Sequence, residues 1–310
     1  MSGDSKLTEQ EYIGGAWPCY PVATGNIWRT EDGREHSMAR DATSGAKAAG
    51  DKPVEKVERT VDVRGIATHL FEAGADDAQP LLYLHGPFLG NLWLDAHQRL
   101  AARFHLYVPD LPGFGLSERP DWMRDMSDYV LYLRDLLDAL ELRQPVVAGH
   151  SLGGWMAAEL AVWYPERVGK LILSNAAGIR VKGALIANLL AMNPQEQLMA
   201  TFDDLTAAAP LMPAELTNDY IVDQFRQRTT LAALAWNPHY DPKLERRLAR
   251  VTCPTLVLWG ATDRLIPPVY GETFARLIPG ARLETLADTG HMPMFERAEA
   301  WSAAIVDFAG

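Results

Sequence analysis

Residues 146–155 read Val146-Val147-Ala148-Gly149-His150-Ser151-Leu152-Gly153-Gly154-Trp155. The opening apolar run, 146–148, has the length and β-branched content of a buried strand. From Leu152 the apolar and small residues continue to Tyr164, and Pro165 stops the helix they predict. Between the two, Gly149-His150-Ser151-Leu152-Gly153 fits the pattern G-x-S-x-G. Chance alone produces that pattern in roughly one chain of this length in ten. Its placement between a strand and a helix makes it specific, because a nucleophile elbow needs that context. So tight a turn forces its central residue into strained backbone geometry, and the flanking glycines let helix and strand approach. The Ser151 hydroxyl is left standing above the strand end, beside free N–H groups and the positive end of the helix dipole. A phosphate-binding turn would want a lysine or a G-x-G-x-x-G spacing at this point, and neither is present. Ser151 therefore reads as a nucleophile.

Working outward, the same alternation repeats. Two strands, 57–63 and 66–71, flank a turn at Arg64-Gly65. Then come a strand at 81–84, a helix at 92–103, a strand at 106–108, a helix at 128–142 and, beyond the elbow, a strand at 168–173. Apolar strands alternating with helices predict an α/β fold: a mostly parallel sheet with helices on both faces. Residues 179–250 break the pattern. They hold no convincing strand, are rich in Leu, Met and Ala, and carry prolines at 194, 210, 213, 238 and 242. The alternation resumes with strands at 255–259 and 282–286 and helices at 269–277 and 298–308. The expected organisation is a core made of 56–178 and 251–310, with 179–250 as a helical cap over the strand ends where open parallel sheets bind ligands. Residues 1–55 read as a partly flexible N-terminal arm. Its Trp17, Tyr20 and Trp28 could dock on the domain or make a homo-oligomer contact.

Bulk properties narrow the function. Of 310 residues, 48% are hydrophobic and 22% charged, so a sizeable core can form. There are 29 Lys plus Arg against 40 Asp plus Glu, a net charge of −11, which speaks against nucleic acid or an anionic membrane as partner. No run approaches the ~20 apolar residues of a spanning helix. Residues 1–11 are polar, unlike a secretory signal, so a cytoplasmic protein is expected. Cys19 and Cys253 cannot form a disulfide framework and read as two free thiols, with a single bridge between them as the alternative. The eight histidines show no metal-ligand spacing, so no metal is expected.

A serine hydroxyl needs a base. The candidate is His291, in the loop Asp288-Thr289-Gly290-His291-Met292-Pro293 after the last strand. The acid that would fix its tautomer is Asp263, in Trp259-Gly260-Ala261-Thr262-Asp263-Arg264, at the same sheet edge as Ser151. Asp288 is the rival, but within one short loop a carboxylate rarely reaches behind the ring. Oxyanion donors are expected from the Leu152 amide and from the loop His85-Gly86-Pro87-Phe88-Leu89-Gly90.

Five strings in register, His85-Gly86, Asp110-Leu111-Pro112-Gly113-Phe114-Gly115-Leu116-Ser117, Gly149 to Gly154, Trp259 to Asp263 and Gly290-His291, together resemble the α/β-hydrolase family. The resemblance runs from about residue 57 to 310. It implies an eight-stranded sheet and hydrolysis through an acyl-enzyme without a cofactor. It makes His85 and 110–117 structural turns rather than catalytic groups. One departure stands out: the residue after His-Gly usually offers an oxyanion N–H, and here it is Pro87, which has none. That shifts the expected donor to Phe88 or weakens the hole. Family members with aspartate at the nucleophile position, the haloalkane dehalogenases and epoxide hydrolases, are disfavoured by Ser151. Carbon–carbon hydrolases of ring-fission products usually carry Trp after the catalytic histidine, where this chain has Met292. With Phe88, Trp155 and Met292 as lining, the expected substrate is a small to medium hydrophobic ester, thioester or lactone. A carbon–carbon hydrolase and a non-catalytic receptor or scaffold of the same fold are the alternatives.

Overall fold

The predicted alternation closes, in the computed structural model, into one eight-stranded sheet; the structure describes residues 27–29, 35–37, 54–213, 215–236 and 238–310. The chain divides at Lys52–Pro53 into two units. The described part of the first is an antiparallel hairpin of β1 (Ile27–Arg29) and β2 (Glu35–Ser37), with Ile27 opposite Ser37. The remainder of the expected arm, Trp17 and Tyr20 included, lies outside the described residues.

The second unit opens with β3 (Lys56–Val63) and β4 (Ile66–Ala73), antiparallel from Lys56 opposite Ala73 to Val63 opposite Ile66. Arg64 and Gly65 turn between them with φ of 51° and 88°, the double left-handed geometry of a two-residue hairpin. β5 (Pro80–Leu84), β6 (His105–Pro109), β7 (Val146–His150), β8 (Lys170–Ser174), β9 (Thr255–Gly260) and β10 (Arg282–Leu286) complete the sheet in the order β10-β9-β8-β7-β5-β6-β4-β3. From β10 to β6 every pair is parallel, and β4 is antiparallel to both β6 and β3.

Strand periodicity sorts the core into two layers. Leu82, Leu84, Val147, Leu171, Leu173, Val257 and Trp259 point to one face, while Leu81, Tyr83, Val146, Ala148, Ile172, Leu256 and Leu258 point to the other. The first face is covered by α2 (Met126–Ala139), α3 (Leu152–Trp163) and α7 (Val269–Leu277), through residues such as Leu133, Leu160 and Phe274. The second is covered by α1 (Asp95–Ala101) and α9 (Ala298–Ala309), through Leu100, Trp301 and Ile305. Every residue of β7 and β9 is buried, as expected of parallel strands sandwiched between helices. Two helix starts differ from the sequence expectation for local reasons. Asp125 caps α2 by accepting the Ser127 and Asp128 amides, so the helix begins at Met126 rather than 128. Leu94 is extended, which delays α1 from 92 to Asp95.

Between β8 and β9 the regular elements among the described residues are helical: α4 (Pro194–Thr201), α5 (Asn218–Ala235), α6 (Leu244–Arg247) and short 3-10 turns. The β-type pairing recorded there is an isolated bridge from Gly178 to Tyr240. The segment after α4 is tied to the loops that follow β9 and β10. Arg264 donates to the carbonyls of Met199 (2.9 Å) and Phe202 (2.5 Å). Glu296, at the end of α8 (Pro293–Glu296), accepts the amides of Asp203 (2.7 Å), Asp204 (3.0 Å) and Gly290 (3.0 Å).

Candidate active site

Ser151 sits where β7 turns into α3, with φ 54° and ψ −115°. That is a left-handed conformation strained for a residue with a Cβ. The glycines around it are steric requirements. A Cβ on Gly149 would run into the Gly153 carbonyl, and one on Gly153 into the Leu84 carbonyl of the neighbouring strand. Leu152, the first residue of α3, carries an amide for which a helix provides no internal partner. Such an amide can stabilise an oxyanion formed at Ser151.

The loops after β9 and β10 meet at the same sheet edge. His291 Nδ1 lies 2.8 Å from Asp263 Oδ2, and both residues are buried. Since a carboxylate only accepts, the proton between them sits on Nδ1. The Asp263 carboxylate is held on every side: Oδ1 accepts the Leu265 and Ile266 amides at 2.9 Å each, and Oδ2 also accepts Asn175 Nδ2 at 2.8 Å. This leaves His291 Nε2 buried and without a hydrogen-bond partner among the described residues. His150, immediately before Ser151, donates from Nε2 to the His291 carbonyl (2.8 Å), and the two rings lie 4.9 Å apart. Burial holds the His150 imidazole well below its ordinary pKa, so it is neutral and acts as a brace between the elbow and the histidine loop. The rival acid Asp288 is exposed, at φ 47° in the turn before Thr289. The structure thus pairs His291 with Asp263 at the sheet edge where Ser151 stands, with no hydrogen bond between Ser151 and His291 Nε2.

Other expected residues fall differently. The loop after β5 does reach the serine: a Cβ on Gly86 would lie 3.2 Å from that of Ser151, and Pro87 shares a cavity wall with Ser151. His85 and Asp110 hold turns, His85 by bonding the Gly86 carbonyl and the Leu111 amide, Asp110 by accepting the amides of Asn91 and Leu116. The cavity beside Ser151 has a volume of about 60 Å³. Its walls are apolar apart from Ser151, Asn188 and His239, and they include Trp155, Ile186, Leu190, Leu231 and Ile266. Phe88 and Met292, expected as lining, are not among those walls. Phe88 adopts φ 65° and turns its ring towards Arg228, 5.7 Å away. Met292 is buried in the opposite core layer with Phe202 and Trp301. Arg226 is committed to the Gly115 carbonyl and to Asp223 (2.6 Å).

Asn175, His150 and Glu296 were not singled out by sequence reasoning. His150 lay inside the quoted motif, but its role depends on the distant His291 carbonyl. Asn175 carries one local sign, its position directly after the strand that neighbours the elbow strand, where it adopts φ 46°. Among the described residues no group of three His, Cys, Asp or Glu side chains is placed to hold a metal ion. Cys253 is a buried free thiol, and Cys19 lies outside the described residues.

Comparison with known proteins places this geometry in a lineage. Residues 81–304 match the model of the alpha/beta hydrolase family, and the chain belongs to that family. It is a hydrolase by that membership. A 2-hydroxy-6-oxononadienedioate/2-hydroxy-6-oxononatrienedioate hydrolase of Paraburkholderia phymatum is 27% identical over 290 residues, covering 87% of this chain and 99% of that protein. Lipase 3 of a Moraxella species is 30% identical over 235 residues, covering 70% of this chain and 73% of the lipase. Among solved structures, 2-hydroxy-6-oxo-6-phenylhexa-2,4-dienoate hydrolase from a Rhodococcus strain superposes with a TM-score of 0.70 at 23% identity, over 82% of this chain and 99% of that one.

Proposed function

We propose that this chain is a serine hydrolase that cleaves a small, uncharged hydrophobic carboxylic ester, thioester or lactone through an acyl-enzyme on Ser151. The observation that carries the reading is the buried Asp263–His291 pair at 2.8 Å, whose free Nε2 shares a sheet edge with a serine held at φ 54°. In the proposed reaction His291 Nε2 takes the Ser151 Oγ proton as Oγ attacks the acyl carbonyl. The tetrahedral oxyanion is met by the Leu152 amide and, in this proposal, by that of Phe88. Collapse expels the alcohol or thiol, which takes the proton from His291 Nε2. Water, deprotonated by the same nitrogen, then attacks the acyl-enzyme, and the carboxylic acid leaves as Ser151 regains its proton. Asp263 stays ionised throughout and stabilises the imidazolium. Residues 179–250 act as the cap in this reading, since Ile186, Leu190, Leu231, Ala235 and His239 all wall the serine cavity.

Carbon–carbon bond hydrolysis is the second reading, supported by likeness to the Paraburkholderia enzyme. The -dioate in that enzyme's name denotes two carboxylates, and buried carboxylates need cationic partners. No Arg or Lys lines the cavity beside Ser151 among the described residues, which favours a neutral substrate. Fluorophosphonate labelling with peptide mapping, on wild type and Ser151→Ala, is the deciding experiment. Covalent mass on Ser151, absent from the variant, together with turnover of short acyl esters is the expected result. Labelling without ester turnover, but with turnover of a ring-fission dienoate, would move the reaction to the carbon–carbon bond. Folded protein that neither labels nor turns over would make the chain a receptor or scaffold.

A further inference from the structure

A second cavity, about 490 Å³ and open to solvent, lies on the far side of Trp155 from the serine. It is bounded by the start of α2, by Trp155, Glu159 and Trp163 on α3, and by Ala232, Trp236 and Arg247 of the helical insertion. Trp155 belongs to the walls of both cavities, as does the C-terminal turn of α5, where Leu231 and Ala235 face the serine and Ala232 and Trp236 face the outer space. The indole is fixed from two directions. Its N–H donates to Glu159 Oε1 at 3.4 Å. Gly178 lies against its ring so closely that a Cβ there would stand 2.6 Å from Cδ1. Glu159 is itself held by Trp163 Nε1 (3.1 Å) and Arg247 (3.5 Å). Trp155 is 3% exposed. A buried ring clamped in this way behaves as a wall.

The volumes make that wall consequential. A cavity of about 60 Å³ holds roughly four water-sized groups, enough for a short acyl chain of about that many heavy atoms. The outer cavity lies within the range of small-molecule sites, about 300–1,000 Å³. We propose that Trp155 is the acyl-length stop of this hydrolase: it restricts the wild-type enzyme to short acyl groups and seals off an indole-lined extension, walled also by Glu159, Asp241 and Arg247, that would otherwise take a long one. This rests on the ester-hydrolase reading above and adds to it the substrate's chain length and the residue that sets it.

The test measures kcat/KM for p-nitrophenyl butanoate and octanoate, with labelling rates for a short-chain and a long-chain fluorophosphonate as a readout independent of turnover. Wild type should prefer the butanoate at least tenfold. Trp155→Ala, checked for folding by circular dichroism, should raise the octanoate-to-butanoate ratio at least tenfold, mainly through KM. Trp155→Leu, which preserves apolar packing should the alanine variant fail to fold, should move the ratio the same way. Ala232→Phe, filling the outer cavity in the Trp155→Ala background, should reverse the gain. A folded Trp155 variant with the wild-type ratio, or a wild type that takes both esters equally, overturns the length stop while leaving the ester-hydrolase reading intact. No labelling and no ester turnover by wild type removes both.

Discussion

At the scale of single residues, the site stores strain and buried charge in identifiable places. Ser151 keeps a side chain at φ 54°, a conformation costing on the order of 1–3 kcal/mol that glycine adopts freely. Ser151→Gly should therefore unfold at higher denaturant than wild type, by about 1 kcal/mol, while losing all labelling. Asn175 is buried and touches the candidate triad through Asp263 and the Gly290 carbonyl. Asn175→Ala should lower kcat about 10- to 100-fold with KM little changed, and steady-state kinetics on a short ester checks the split. Glu159 offers a pH test. Its burial and the nearby Asp241 push its pKa up to about 7, against the pull of the Trp155 hydrogen bond and of Arg247. A carboxyl whose folded pKa is raised binds its proton more tightly when folded, so its contribution to stability is present below its ordinary pKa and is lost as pH rises through about 7. Between pH 5 and 7.5 the wild type should lose roughly 2 kcal/mol more than Glu159→Gln does, as thermal melts across that range would reveal.

At the scale of elements, the insertion has a pinned half. The amide of His291 donates to the Thr201 carbonyl at 2.7 Å, Arg264 grips the end of α4, and Glu296 gathers three amides from two distant segments. Glu296→Ala strands those donors at a partly buried junction and should cost about 2–4 kcal/mol, with a fall in kcat as the His291 loop loosens; chemical denaturation and ester kinetics on the same variant test both. Glu296 also marks the limit of what the linear chain discloses. The elbow was legible because Gly149, Ser151 and Gly153 meet their steric demands within five consecutive residues. The order of the strands, the acid after β9 and the histidine after β10 were legible because each follows a short apolar run. Glu296 was not, since two of its amide partners come from Asp203 and Asp204, about 90 positions away. Phe88 and Met292 were expected near the site from their adjacency in sequence to Pro87 and His291; neither walls the cavity beside Ser151, Phe88 lying by Arg228 and Met292 in the opposite core layer.

At the scale of the whole molecule, the unit from Pro53 to Gly310 contains the complete sheet, both core layers and the three residues of the candidate triad. A chain starting at Pro53 should keep Ser151 labelling and a melting temperature within about 2 °C of the full chain; loss of either would assign residues 1–52 a part in stability. No helix among the described residues is long and apolar enough to cross a membrane. The sheet ends at β3 on one side and β10 on the other, and among the described residues neither outer strand has a further neighbour. Both carry charge along their exposed lengths: Lys56 with Glu58 and Arg59 with Glu72 at one border, Arg282 with Glu284 at the other. An incoming strand would have to strip water from those ions before its amides found partners, whereas apolar outer strands would welcome it. The molecule should therefore resist edge-to-edge aggregation and amyloid-like stacking at high concentration, and the resistance should weaken wherever those border charges are neutralised.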